Sequence, residues 1–228
     1  MHEADLDWLL APLPSGRHGL PREQVVRSQR LRLLAAAISV VGEEGYAAMT
    51  VTAVIRRASV SRKTFYEQFA DREHCFVAAY EALVGRALAG IRDAYGIDAP
   101  WHERLRAALD WTLRALAGHP HEARVAFVEV LAAGPRALAL RDGALRELTA
   151  LFQPGFDAAS AGVAIPRSTP TAIAGAFAEL VAMRVRQGST EQLPALLPDL
   201  LFCALAPFVG PVAAAELAAA GDVAGVRG

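Results

Sequence analysis

The sequence predicts an all-α protein, with a three-helix module near the N-terminus followed by a larger helical bundle. Three observations carry this. The 228 residues are 54% hydrophobic but only 7% aromatic, and alanine and leucine, both strong helix formers, supply much of the apolar content. Apolar side chains recur at steps of three and four, the helical period. No stretch of useful length alternates as a half-buried strand would, and no internal repeat stands out. A mean hydropathy of +0.27 and a formal charge of -1 exclude a disordered chain and provide enough apolar surface for a sizeable core.

Residues 1–23 hold Pro12, Pro14, Gly16, Gly19 and Pro21 and read as a flexible basic arm. Leu31, Leu34, Ile38 and Val41 then mark one face of a first helix, and Gly45 is placed to end it as a left-handed C′ residue. Thr50 can cap a second helix, whose apolar face is Val51, Val54, Ile55 and Ala58. After a break at Ser59-Val60, Ser61 is a natural cap for a third helix. Val60 and Phe65 can staple its start, and Phe65 and Phe69 form its inner face. A long helix from Asp71 to about Tyr95 follows. Beyond Gly96 and Pro100, helices are expected at about 100–117, 119–133, 135–152, 169–187, 192–208 and 211–220, punctuated by Gly118, Gly134, Pro154, Pro166 and Gly188. The expected organisation is an arm at 1–23, a three-helix module at 24–70, and a helical bundle at 71–228.

The informative stretch is TVTAVIRRASVSRKTFYEQFADRE, from Thr50 to Glu73. Two short helices joined by a tight turn have the geometry of a helix-turn-helix, whose second helix enters the major groove N-terminus first. Ser61, Arg62, Lys63 and Thr64 fall at that N-terminus, where unpaired N–H groups and the helix dipole favour phosphate. Tyr66 falls on the polar side, away from Phe65 and Phe69, and suits a phosphate contact. From residue 20 to 72 there are nine basic and five acidic side chains, a local balance of +4 in a chain of net charge -1. That is the electrostatic footprint of a nucleic-acid face. The same arginines could instead solvate helix faces.

The run from Gln29 to about Tyr80, with its GEEGY turn and MTVTAVIRRASVSRKTFYEQFADREHCFVAAY, resembles the TetR family of bacterial transcriptional regulators. The resemblance covers the N-terminal third. It implies a homodimer that binds a palindromic double-stranded DNA operator through its helix-turn-helix. It also implies a helical domain for dimerisation and for a small-molecule effector. By position it assigns Ser61, Arg62 and Lys63 to base or phosphate contact and Thr64 and Tyr66 to phosphate. Thr50 caps helix two at the backbone, and Arg72 takes a basic phosphate position at the start of helix four. Ser59 departs from the glycine often found in the turn. A positive φ there would cost serine on the order of 1 kcal/mol. From the arm, Arg17 and Arg22 can enter an adjacent minor groove.

Other functions find less support. His102-Glu103 and His121-Glu122 each start an HExxH pattern that lacks its second histidine, and no phosphate-binding glycine loop or GxSxG occurs. No catalytic residue, metal or cofactor is therefore expected, and the chain reads as no enzyme. Cys75 and Cys203 read as buried small hydrophobes in a reducing cytoplasm. The acidic start excludes a signal peptide, and no charge-free apolar run of spanning length appears, so a cytoplasmic protein without a membrane partner is expected. A helical ligand-binding dimer without DNA contact remains the alternative reading, opposed by Ser61, Lys63 and Tyr66, which packing does not demand.

The dimer interface is expected on helices 169–187 and 192–208, through Ile173, Ala176, Phe177, Leu180, Leu197, Leu201 and Leu205. A pocket for an apolar effector is expected among Trp111, Phe127, Phe152, Phe156 and Phe177, with Asp110, Glu129 and Glu179 as its polar groups.

Overall fold

The structure is a computed structural model, and it describes residues 22–159 and 164–220. The expected arm contacts of Arg17 and its neighbours lie outside the described residues. Among the described residues there is no strand. The first helix, α1, spans Arg22–Glu44 and is followed by a 3-10 turn at Tyr46–Ala48. α2 (Val51–Ala58), α3 (Arg62–Gln68) and α4 (Arg72–Tyr95) complete the N-terminal third. α5 (Trp101–Gly118), α6 (Pro120–Phe127), α7 (Pro135–Thr149), α8 (Gln153–Ala158), α9 (Thr169–Arg186), α10 (Leu197–Val209) and α11 (Pro211–Ala219) form the bundle.

α2, α3 and α4 each start where a hydroxyl or carboxylate satisfies one of the unpaired N–H groups. Thr50 Oγ1 accepts from Ala53 N at 3.1 Å, Ser61 Oγ from Thr64 N at 3.0 Å, and Asp71 Oδ1 from His74 N at 2.7 Å. Ser59 takes the left-handed conformation with φ 52°. Gly45 has φ 88° but ψ 161°. It is therefore not the expected left-handed cap, but an extended mirror-image residue that only glycine adopts without strain.

α1 is buried on more sides than its expected stripe. Leu33, Ala37, Val40 and Val41 are almost fully buried, because α2 and α3 cover one side while α4 and α6 cover others. One apolar cluster runs from α1 through Val54, Phe65 and Phe69 to Phe76 and Tyr80. It continues into the bundle at Val125, Val130 and Ala137. The helix-turn-helix thus shares its core with α4, α6 and α7, and no core boundary falls at residue 70. A second cluster packs Trp101, Phe152 and Phe156 around Phe208, and a third packs Leu113, Phe177 and Val181 against Leu193 and Leu200.

Three expected helices divide. The segment at 119–133 bends at Val128 (φ -117°, ψ -61°) into α6 and a 3-10 turn at Glu129–Ala132. The segment at 135–152 ends as α7, followed by a 3-10 turn, Ala150–Phe152. Pro154 opens α8 instead of marking a loop, because proline lacks only an N–H that the first helical turn does not use. The segment at 192–208 begins as a 3-10 helix, Thr190–Leu196, around Pro194. Residues 190–209 are long and apolar enough to cross a membrane, with a mean hydropathy of 1.6. Here, however, Leu193, Leu196, Leu200, Leu201 and Leu205 are buried inside the bundle. Cys75 is buried as expected, whereas Cys203 is exposed on α10.

Candidate nucleic-acid interface

The candidate recognition element is α3. Phe65 and Phe69 are 0% and 1% exposed, their rings 5.7 Å apart, and they pin the helix to the module core. The opposite side presents Arg62, Lys63, Tyr66 and Glu67, all exposed. Tyr66 is 52% exposed and stands edge-on to Phe65 at 5.4 Å, so packing fixes the ring and leaves the hydroxyl outward. Lys63 Nζ lies 3.9 Å from Glu67 Oε1, a solvent-facing pair that a phosphate can displace at little cost. Ser61 and Thr64 share a 2.9 Å hydroxyl contact at the start of the helix. Thr50 keeps a hydroxyl proton to donate while its oxygen caps α2.

Not every expected contact residue is presented in the same way. Arg72 Nη1 donates to Met49 O at 2.9 Å, and its guanidinium lies over the Tyr46 ring at 5.5 Å. It therefore holds the chain entering α2 as well as reaching the surface. Arg22 sits in the first turn of α1, not in an arm. Among the other local arginines, Arg30 stacks on Phe69 at 4.7 Å. Arg57 forks onto Glu43 and also donates to Ser39. Part of the basic balance thus braces the module. No sequence signal announces these pairs, because their partners lie far apart in the chain.

The expected effector residues do not line one cavity. Phe152 and Phe156 pack on Phe208, while Phe127 meets Phe177 at 6.1 Å in a separate cluster. Trp111 lies against Gly90 of α4, where a Cβ would meet its ring at 2.1 Å. Asp110 pairs with Arg114 and Glu179 with Arg186 on the surface. Glu129 turns toward the 3-10 turn after α1, where Tyr46 N donates to it at 2.8 Å. Among the described residues an open concavity runs along the start of α1, and a gap of about 180 Å3 lies between α4 and α7. The gap is floored by Leu88, Ile91, Leu148 and Leu151, and the Arg92–Glu147 ion pair stands beside it.

The expected interface residues also divide. Phe177, Leu201 and Leu205 belong to the chain's own core, and Ile173, Leu180 and Leu197 are half-buried. Ala176 is exposed, as are Ala172 and Gly175 on α9 and Phe202 and Cys203 on α10. The leucines of α10 turn inward toward α5 and α8, which shifts the outward apolar stripe by one position.

Residues 33–79, the segment that builds this surface, match the family model "Bacterial regulatory proteins, tetR family". The matched segment, 47 of the 228 residues, carries this family's signature. The HTH-type transcriptional activator FasR of Mycolicibacterium smegmatis is 31% identical over 101 residues, 43% of this chain and 44% of FasR. The match thus spans less than half of that relative. An uncharacterised HTH-type transcriptional regulator of Mycobacterium tuberculosis is 29% identical over 161 residues, 65% of this chain and 74% of the relative. The fold of the chain matches the fatty acid degradation regulator FadR from Bacillus halodurans with a TM-score of 0.69 at 21% identity, covering 79% and 94% of the two chains. It matches FadR from Bacillus subtilis, crystallised with stearoyl-CoA, with a TM-score of 0.68 at 20% identity, covering 79% and 98%.

Proposed function

We propose that this chain is a TetR-family, sequence-specific DNA-binding regulator that acts as a homodimer on a palindromic operator and represses transcription until a small apolar effector releases it. The observation that carries DNA binding is the exposed row of Arg62, Lys63 and Tyr66 on α3, opposite the buried Phe65 and Phe69. Nothing in the packing requires those three residue types, and together they supply base-edge donors, a phosphate charge and a phosphate hydroxyl. Ser61, Thr64 and Thr50 add phosphate-backbone contacts, and Arg22, in the first turn of α1, adds charge.

The dimer is assigned to the outward face of α9 and α10. Ala172, Gly175 and Ala176 form a thin surface on which a second helix can approach closely, and Phe202 supplies an exposed aromatic ring. For the effector, the stearoyl-CoA bound to the FadR neighbour makes an acyl chain the first candidate. The gap between α4 and α7 has an apolar floor, but it is smaller than the roughly 300 Å3 of an ordinary ligand pocket. An acyl chain would have to widen it by moving α4, the helix that also carries the module. The relative from M. smegmatis is named an activator, so the sign of regulation is tested in both directions.

The deciding experiment selects bound duplexes from a random library, followed by a salt titration of the enriched site. A two-fold symmetric sequence whose affinity falls steeply with salt is expected. Failure to enrich any sequence would sink the reading. A reporter carrying the enriched site then reads repression or activation.

A further inference from the structure

We propose that Arg124 and Glu129 form a clasp that fixes the angle of the helix-turn-helix on the bundle, and so selects the half-site spacing of the operator. The inference rests on the DNA-binding reading above. Glu129 lies just past the bend at Val128, which turns its carboxylate toward the end of α1. Its side chain is 14% exposed. Oε1 receives both Nε and Nη2 of Arg124 at 2.9 Å, and Oε2 accepts from Tyr46 N at 2.8 Å. Arg124 Nη1 also donates to Gly42 O at 3.3 Å and Glu43 O at 3.2 Å. One ion pair on the bundle side thus grips both the last turn of α1 and the first residue of the following turn.

The end of α1 needs this partner. The helix closes with Glu43 and Glu44 and carries no basic residue in its last turn. Acidic side chains and unpaired carbonyls at a helix C-terminus are both unfavourable, and a cation placed there relieves both. Arg57 of α2 meets the Glu43 carboxylate, and Arg124 of α6 meets the carbonyls of Gly42 and Glu43. Two glycines bring the surfaces close enough. A Cβ at Gly42 would meet His121 Cβ at 2.6 Å and His121 O at 2.9 Å, so α6 could not lie where it does. A Cβ at Gly45 would meet Glu129 Oε2 at 3.3 Å, and its φ of 88° already excludes most side chains. The seam joins the module to α6, which packs in turn on α5 and α9. A displacement of the bundle is therefore transmitted at this point to the recognition helix.

The angle matters because one added base pair moves a half-site by about 3.4 Å along the axis and rotates it by about a tenth of a turn. A rigid module discriminates against that change, whereas a loosened module does not. Glu129→Gln keeps an acceptor for Tyr46 N but loses the charge. Arg124→Lys keeps the charge but loses the fork that spans carboxylate and carbonyls. Glu129→Ala removes everything, and if it does not fold, the two conservative variants decide.

The test has two independent readouts. Spin labels at Lys63→Cys on α3 and Ala139→Cys on α7, in a Cys203→Ser background diluted with unlabelled chain, report the intrachain distance without DNA. One narrow distribution is expected for the parent and a broad or shifted one for the variants, with helical content unchanged. Operators with the enriched spacing and with one base pair more or fewer are then compared. The parent's discrimination of roughly tenfold, the size of a mismatch penalty, should fall to about twofold in the variants while half-site affinity holds. Equal loss of half-site and full-site binding would assign the pair a merely structural role and overturn the proposal, as would a narrow distribution in the variants. If the parent enriches no DNA, the DNA reading fails and the selection of half-site spacing fails with it. The distances then judge only whether the clasp fixes the angle.

Discussion

The guanidinium of Arg57 on α2 forks onto the carboxylate of Glu43 on α1, with Nη1 2.5 Å from Oε1 and Nη2 2.7 Å from Oε2. Those hydrogen bonds, with a further one from Ser39, hold the Glu43 carboxyl down at about 2 from its ordinary 4.5. A lowered carboxylate contributes stability that is present above the ordinary value and lost as pH falls through the lowered one. The α1–α2 contact should therefore weaken between about pH 4.5 and 2. Glu43→Gln should flatten that part of the acid limb in thermal melts. Because the pair faces solvent, high salt should flatten it in the parent too. An acid limb of unchanged slope in Glu43→Gln would show that other groups set it.

Ser59 pays for the turn between α2 and α3 with a φ of 52°. A non-glycine residue there costs about 1–2 kcal/mol, and glycine's greater unfolded entropy takes back roughly 0.5–1 kcal/mol. Ser59→Gly should raise the urea midpoint, with a net gain of up to about 1 kcal/mol and an unchanged denaturant slope. Ser59→Val should lower it, because a β-branched residue tolerates positive φ least.

Lys63→Ala and Tyr66→Phe should each weaken operator binding by roughly 1–3 kcal/mol, and Lys63→Ala should also reduce the salt slope by about one. Melting temperatures should hardly move, because both side chains are exposed. Parent-like affinity in a salt titration would remove that residue from the interface.

The two thiols should differ sharply. Burial pushes the Cys75 thiol up to about 12, so it should resist alkylation in the folded protein, whereas Cys203 on the outer face of α10 should react once per chain. A short bismaleimide should then join two chains through Cys203 if α10 lies near the dimer axis, and Cys203→Ser should abolish the product. Labelling without any cross-linked dimer would move the interface elsewhere.

The sequence by itself determined the elements whose causes are local. Thr50, Ser61 and Asp71 announce helix starts because each cap bonds an N–H three residues on. The alternation of Phe65 and Phe69 with Lys63 and Tyr66 settles which side of α3 faces outward, since helical spacing alone does so. The positive φ at Ser59 was suggested only by the glycine that the resemblance places in the turn. Only the tertiary structure decided what depends on distant partners. Helical spacing marks Leu201, Leu205, Phe202 and Cys203 alike as apolar, and only the positions of α5 and α8 bury the first two and expose the others. The aromatics from Trp111 to Phe177 resemble one pocket as a set, yet they pack into separate clusters because each helix meets a different neighbour. Glu129 looked like a polar group in an apolar helix. The bend at Val128 and the close approach of α6 to Gly42 bring it to Tyr46, 83 residues away in the chain. No periodicity encodes a contact of that range, because it arises only when two helices pack.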